Sequence, residues 1–543
     1  MIMIMMKRKF LALAVAAVLV AGLGPGSGWV PAARAEIPPA ARVETKIFTP
    51  VNRAIALQTR RTYLELACLI GGVTTYYWLS YGKFQEDWQF SLSWQGQRRR
   101  LFSAESPKLD SNNFDTNWTH ALAGAGYYSI ARTNGYSSGS SLLFSIGSSA
   151  FWEIFSEHRE VIAINDMIFT SFSGPAVGEP LYQMSSYFSR RPGTWNRLGE
   201  LLCNPFLALN NWIDGKGGTG KNSGPEPSWH AFRIFAGAKQ AASTPEAAGH
   251  TGFKTSLDME TNTLPGYRGD ESFSLSLPGT LSGRIYFDMS FGPAGWEEWN
   301  LRTGAVHFGH AWQSSRAEAG DTPKGSGGSI GFATAFEVYR KRQSAWYAGG
   351  GSSSSGGSSH SIARIERPTP TEFSDKISAI SPLGAVLTLS RFGPRLHARW
   401  TAEVFGDFAM VNALAYNRFT AGHDTSGVKT TLLNWGYYYA AGMTMGSDIL
   451  LDWRRWHLRG SFRYQWYDSI QGLDRFQFLG LVTDDFRIHD SRLLGRLELT
   501  YRIPGSPIEV GFDAETIGRR GSLLDLHAQR RESRMTWKTG FIF

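Results

Sequence analysis

From residue 229 to the end of the chain, apolar and polar residues alternate in segments of ten or more. No other feature constrains the fold as tightly. Ser282 to Phe291 (SGRIYFDMSF) puts Ile285, Phe287, Met289 and Phe291 on one face. Trp456 to Tyr467 (WHLRGSFRYQWY) puts Trp456, Leu458, Phe462, Tyr464 and Trp466 on one face and His457, Arg459, Arg463 and Gln465 on the other. Period two is the signature of a strand. A run of about ten residues with one apolar face is what a membrane-spanning barrel needs, because lipid-facing and lumen-facing positions alternate. Strands of a soluble sandwich also alternate, but are mostly about 5–6 residues long. A sheet in lipid must close, since an open edge leaves backbone groups unpaired.

Twelve such segments lie near 229–241, 249–260, 281–291, 300–313, 328–341, 380–391, 395–407, 436–448, 455–467, 489–503, 507–519 and 533–543. An even number suits an antiparallel barrel with both chain ends on one side. Short connections (Gly393-Pro394, Ile503 to Ser506) contrast with a long Gly/Ser-rich one from Ala348 to Phe373. Trp296, Trp299, Trp435, Tyr437 to Tyr439, Trp453 and Trp456 cluster near segment ends, where amphipathic rings suit an interface. Arg340, Lys341 and Arg342 read as the end of a span. Composition agrees: charged residues are 19%, below the ~25% of an average soluble chain. Aromatics reach 13%, enough core material to exclude a disordered chain.

Residues 1–35 read as an export signal. Lys7, Arg8 and Lys9 precede the apolar run Phe10 to Leu23, and Ala33-Arg34-Ala35 supplies a cleavage site. Loss of those four cations takes the formal charge from +9 to +5. So mild an excess on an exported chain does not point to nucleic acid. Cys68 and Cys203 leave pairing and two separate thiols both open. The terminal Phe541-Ile542-Phe543 resembles the signal read by the barrel-assembly machinery, with Phe541 and Phe543 on one face. Met535 and Trp537 continue that face, which is assigned to lipid, with Thr536 and Lys538 on the lumen side.

Residues 36–224 read as a helical module, separated from a barrel over 228–543 by the turn-forming run Asp214 to Pro227. Tyr63 to Tyr81 is too weakly apolar for a transmembrane helix and reads as a helix against protein or at an interface. Trp88, Phe90, Leu92 and Trp94 alternate, which suggests a short strand or an interfacial segment. Within the module stand His120, Gly124, Tyr127-Tyr128, Arg132, Asn134-Gly135, Trp152-Glu153, Glu157, Asn165-Asp166, Thr170 and the turn Gly174 to Gly178-Glu179. This pattern resembles the bacterial family known as domain of unknown function 3943. Ala121 departs from it, where the family usually has Pro after the His. The resemblance implies an outer-membrane barrel partner for the segment and no particular reaction.

On a helix, Glu153 and Glu157 share a face among Phe151, Trp152, Ile154 and Phe155, so the carboxylates need partners. Arg132 and His120 are the candidates, and Asn165 and Asp166 cap or anchor a helix beginning near Asp166. Two readings stay open. One is a structural polar network of His120, Arg132, Glu153, Glu157, Asn165, Asp166 and Glu179. The other is a site using His120, Glu153, Glu157 and Asp166 as acid and base. No H-E-x-x-H, G-x-S-x-G or P-loop occurs, and no metal or cofactor is expected. His307 and His310, three apart, are expected on opposite faces. Arg98 to Arg100, Arg519-Arg520 and Arg530-Arg531 read as solvated charge or rim contacts to lipid phosphate.

The expectation is therefore a mainly β chain, an antiparallel transmembrane β-barrel preceded by a helical module. It sits in the outer membrane of a Gram-negative bacterium, in contact with lipid. The role expected is structural or gated transport, with the module in the lumen or on the periplasmic mouth. The alternative is an outer-membrane enzyme acting on lipid or envelope polymer.

Overall fold

The structure, a computed structural model, describes residues 46–47, 57–80, 89–216, 226–244, 249–292, 295–317, 322–342, 373–420, 422–474 and 484–542. The export signal, Trp88, the Gly/Ser-rich loop and Phe543 lie outside them.

Twelve long strands form the wall: β1 (Trp229–Thr244), β2 (Gly249–Asn262), β3 (Ser282–Gly292), β4 (Gly295–Arg316), β5 (Lys324–Arg342), β6 (Phe373–Phe392), β7 (Leu396–Asn412), β8 (Tyr437–Trp453), β9 (Trp456–Ser469), β10 (Ile488–Arg502), β11 (Ile508–Leu523) and β12 (Leu526–Ile542). Each runs antiparallel to its neighbour, and β12 pairs β1 (Trp537↔Ala238), so the ring is closed. A short strand, Phe273–Leu277, continues the wall where β3 stops, pairing Leu275 with Ala311 of β4. Each of the twelve alternating segments becomes one strand. Most strands run longer than their segments, because ladder pairing continues past the apolar zone. A bulge between Val306 and Phe308 inserts one residue into β4 and shifts its phase. His307 and His310 therefore do not take opposite faces as spacing predicts. His307 bonds Thr334 at 2.8 Å, while His310 meets Ser274 and Ser276.

Alternation separates two chemistries. Outward Met535, Trp537 and Phe541 on β12 are exposed, while Thr536 and Lys538 turn inward and are buried. Ion pairs fill the lumen, some across it between distant strands (Arg534 to Glu298, Arg459 to Asp258) and others between neighbouring strands. Arg534 reaches Glu298 at 2.7 Å and Glu515 at 2.8 Å. Arg459 joins Asp258 at 2.7 Å and Asp448 at 2.8 Å. Arg496 joins Asp513 at 3.1 Å. Arg519, expected at the rim, is instead buried on Asp375 and Asp490. Buried charges persist only when paired and hydrogen-bonded, and facing strands supply the partners. A cavity of about 200 Å³ remains among Arg284, Arg302, Arg399, Glu260 and Glu403.

Apolar clusters pack at both ends of the lumen among the described residues. At the end where the chain enters β1 and leaves β12, Leu264, Leu275, Leu277, Leu281 and Ala311 cluster with Tyr267 and Phe273. At the other end the connection between β7 and β8 folds inward as α9 (Tyr416–Thr420) and α10 (Thr430–Trp435). Its Ala415, Tyr416, Phe419, Val428 and Leu432 pack on Tyr339, Ile377, Tyr438 and Tyr467. Buried Lys429 ties this segment to Asp474 at 3.1 Å and Asp485 at 2.7 Å in the connection before β10.

The helical module comprises α1 (Thr59–Ser80), α2 (Trp94–Phe102), α3 (Phe114–Thr133), α4 (Ser138–Phe151), α5 (Ile164–Ser173), α6 (Glu179–Phe188), α7 (Thr194–Cys203) and α8 (Pro205–Ile213). Trp94 opens a helix rather than ending a strand, because Ser93 accepts the Gly96 N–H and caps it. Cys68 is exposed and Cys203 buried, and both are free thiols. No described helix is long and apolar enough to cross a membrane.

The module lies against the outside of the barrel. Phe114, Ala121, Ala125, Phe169 and Val177 pack on Phe336, Val338, Ile380, Phe408, Met410, Tyr437 and Tyr439. Each of these strand residues alternates with a lumen-facing one: Glu337, Ala379, Asp407 and Tyr438. Met184 and Tyr187 likewise cover Phe232, Met259 and Ile285, the neighbours of lumen-facing Arg233, Asp258 and Arg284. The expectation of a helical lumen plug, or of a module on the periplasmic mouth, is corrected. The lumen is occupied by the barrel's own charged side chains and by the β7–β8 connection, so the helices find their partner on the outer wall.

Candidate functional site

The candidate residues sit where α3, α4 and α5 cross. Asn113 caps α3 by accepting the Thr116 N–H at 2.8 Å. Helical spacing then lines Asn117, Ala121, Gly124, Ala125 and Tyr128 along its buried face. Small residues let α5 come close. A Cβ on Gly124 would stand 1.8 Å from the Thr170 carbonyl oxygen, and one on Gly178 would stand 2.9 Å from Tyr128 Cδ1. Between α5 and α6 the helix widens into a π turn, Gly174–Gly178, which accommodates Pro175.

The expected single network is two networks. In the first, His120 Nε2 lies 3.7 Å from Asp166 Oδ1. Asn165 donates to Asp166 at 2.6 Å and accepts the Asp110 N–H at 2.7 Å. Asn117 donates at 2.7 Å to both Tyr437 and Tyr439 of β8, fastening this cluster to the barrel. Glu153 accepts the Ala163 N–H at 2.9 Å. Burial, with Glu157 and Asp166 close by, pushes the Glu153 carboxyl well above the usual carboxylate range. Burial pushes the His120 imidazole down to about 4, against the pull of Asp110. At neutral pH the imidazole is therefore uncharged.

In the second network Glu179 receives Arg132 Nε at 2.7 Å and Nη2 at 3.1 Å, with the Tyr128 hydroxyl at 2.7 Å. Burial alone would raise the Glu179 pKa, but the Arg132 charge and these hydrogen bonds outweigh it and hold Glu179 at about 2. Arg132 also lies over the Tyr182 ring, 4.4 Å from its centroid. This fork is a buried, bidentate pair of the kind that fixes geometry.

Four sequence expectations are corrected. Arg132 partners Glu179, not Glu153 or Glu157. Glu153 and Glu157 do not keep α-helical spacing, because Trp152–Ser156 is a π turn, and Glu157 accepts the Trp152 indole N–H at 2.9 Å. Asn165 and Asp166 stand inside the first turn of α5, and neither caps it, since its N-cap is Ala163. Arg100, read as a solvated charge, is fully buried. Its guanidinium donates to the backbone carbonyls of Glu153, Ile154 and Glu160, taking up the groups that the end of the π turn leaves unpaired. Asn117, Asp110, Tyr437 and Tyr439 were not singled out as members. The phase of β8 puts Tyr437 and Tyr439 outward, but only the fold shows that a helix meets them there.

Among the described residues no group of three or more His, Cys, Asp or Glu side chains is placed to hold a metal ion. Chemically the first cluster offers a mostly buried imidazole, 20% exposed, beside a buried carboxylate. The second offers only a saturated ion pair.

The chain is similar in structure to the translocator domain of autotransporter NalP from Neisseria meningitidis, at 10% identity over 57% of this chain and 88% of that one, with a TM-score of 0.17. It is similar to a KdgM porin in complex with disordered oligogalacturonate, at 7% identity over 57% and 98%, with a TM-score of 0.18. It is also similar to a FadL homologue from Pseudomonas aeruginosa, at 10% identity over 58% and 90%, with a TM-score of 0.20. No curated protein matches it. Residues 106–206, which hold both networks, match the family described as Domain of unknown function (DUF3943), the family the sequence resembles.

Proposed function

We propose that this chain is a non-conducting outer-membrane barrel that serves as a scaffold for the helical module on its wall. The observation that carries this reading is the closed lumen. An apolar cluster stands at one mouth, the inward-folded 413–436 segment at the other, and cross-strand ion pairs lie between them. An outward apolar belt supports the membrane location: Leu493, Leu497, Val510, Met535 and Trp537 are exposed on adjacent strands. Export by cleavage after Ala35 and recognition of the terminal strand by the barrel-assembly machinery belong to the same proposal. N-terminal sequencing of the outer-membrane fraction tests the first. Planar-bilayer recording tests the central claim: purified full-length protein gives no steady channels. Large stable conductance overturns it. A gated transporter, with the 413–436 segment as its gate, would instead conduct when that segment alone is replaced by a short Gly-Ser turn, whereas the scaffold stays silent until the opposite mouth is opened as well.

A second reading, an enzyme acting on lipid or envelope polymer, is favoured by one observation. The His120 ring is 20% exposed while its neighbour Asp166 is 3% exposed, as a general base beside an orienting carboxylate would be. Substituting His120 by Ala and comparing the lipid and envelope-polymer products of the two strains decides it.

A further inference from the structure

Helix α4 is built inside out for a helix in water. Its buried face is Ser141, Ser145, Ser148 and Ser149. Its outer face carries Leu143, 68% exposed, and Phe151, 47% exposed, with Leu142, Phe144 and Ile146 partly covered. None of its fourteen residues is charged. A helix on a water-soluble domain turns its apolar stripe to the core and its polar face outward. The reverse arrangement, with small and hydroxylated residues between helices and aliphatic ones outside, is how helices pack in lipid. The Ser145 hydroxyl shows the inner half of that pattern, lying 3.3 Å from the Gly124 carbonyl and 3.0 Å from that of Thr170.

Charge follows the same logic. Between Phe114 and Ser156 the only Asp, Glu, Lys or Arg residues are Asp115, Arg132 and Glu153. Asp115 pairs with Arg340 of the barrel at 2.6 Å, Arg132 with Glu179, and Glu153 is buried. Charged groups tolerated at membrane depth are those that face protein and are paired. The outer wall on which the module sits is continuous with the barrel's own lipid belt. On β1, Phe232 is covered by Tyr187 and Phe188, and Ile234, two residues on along the same face, is 45% exposed. On β3, Ile285 is covered and Phe291 is exposed.

From this we infer that the α3–α4 part of the helical module lies in the lipid beside the barrel, with the outer face of α4 in contact with acyl chains, while the exposed charges Arg60, Arg98 and Arg99 leave α1 and α2 at the membrane surface. The inference rests on the outer-membrane reading above. It changes what the His120 cluster faces: a ring exposed on such a domain meets lipid, not periplasmic solvent.

Spin labels on single cysteines in full-length protein reconstituted into phosphatidylcholine/phosphatidylglycerol vesicles test it, in a background with Cys68 and Cys203 replaced. The labelled sites are Leu143→Cys on α4, Leu493→Cys on the barrel belt and Leu524→Cys in the exposed turn between β11 and β12. At Leu143 and Leu493 oxygen is expected to relax the label more than a water-soluble nickel chelate does, and at Leu524 less. Lipid-like access at Leu493 with water-like access, or an immobilised protein contact, at Leu143 overturns this inference and leaves the barrel reading standing. Water-like access at both overturns both. Unaltered protein supplies the control for folding: a phospholipid with a photoactivatable group on its acyl chain is expected to label the peptide 138–156. Labelling confined to barrel peptides counts against the inference.

Discussion

At the scale of single residues, the two buried carboxyls of the module are shifted in opposite directions, and pH separates them. Glu179 is held at about 2 against an ordinary value of 4.5. Its ion pair therefore adds stability above about pH 4.5, and that contribution is lost as pH falls toward 2. The difference corresponds to about 3 kcal/mol. Melting temperature in detergent is expected to fall through that window, and Glu179→Gln to flatten the fall. At neutral pH, Arg132→Ala is expected to cost about 3–5 kcal/mol, because it leaves Glu179 buried without its partner. Glu153 behaves oppositely. Its raised pKa means that the folded state keeps a proton the unfolded state gives up, so stability declines as pH rises above about 4.5. Gln mimics the protonated acid. Glu153→Gln is expected to keep or raise the melting temperature at pH 8, and a marked loss there would show that the ionised form is the one the fold uses. His120, lowered to about 4, adds a loss of stability on acidification between about pH 6.5 and 4.

At the scale of elements, the closest approach is that of α3 to α5 at Gly124. Gly124→Val must move the Thr170 backbone or unseat α3, at the upper end of the ~1–3 kcal/mol typical of overpacking. Limited proteolysis is expected to cut within 106–206 in this variant while β1 to β12 stay protected. Strand β12 closes the ring, with Phe541 opposite Ile234 on the outer face. Replacing Phe541 and Phe543 together by Ser is expected to lower the amount of folded, heat-modifiable protein in the outer membrane without reducing export. Unchanged levels would remove the terminal residues from the assembly argument. The elements themselves were legible because period two persists through β9 and β12, where every second residue faces lipid. Legibility failed where a side chain overrode the local pattern. Ser93 capped a helix within the apparent strand at Trp88 to Trp94, and a π turn broke the spacing of Glu153 and Glu157.

At the scale of the whole molecule, the proposed closure of the lumen rests on three features: the packing at each mouth and the ion pairs between them. On that proposal, opening one is not expected to open the barrel. Deleting the 413–436 segment alone is expected to leave conductance near baseline, because the cluster around Leu264 and Leu281 still closes the other mouth. Adding Tyr267→Ala and Leu281→Ala is expected to yield measurable currents, read in the same bilayer. Silent membranes with all three changes would assign the block to the ion pairs between the mouths.

The sequence by itself determined the barrel. Alternation, segment length and an even count are local properties of the chain, and closure follows from the cost of unpaired backbone in lipid. It also marked Glu153 as a carboxyl among apolar neighbours, while buried Arg100, Asp110 and Asn117 escaped it. The tertiary structure alone decided who meets whom. Arg132 and Glu179 are 47 residues apart and Asn117 and Tyr439 are 322 apart, so no spacing rule connects them. It also decided on which side of the wall the helices lie. Inward and outward faces of a barrel both offer a buried surface to a helix, and the choice fell outward because the lumen is filled by charges that only the closed ring brings together.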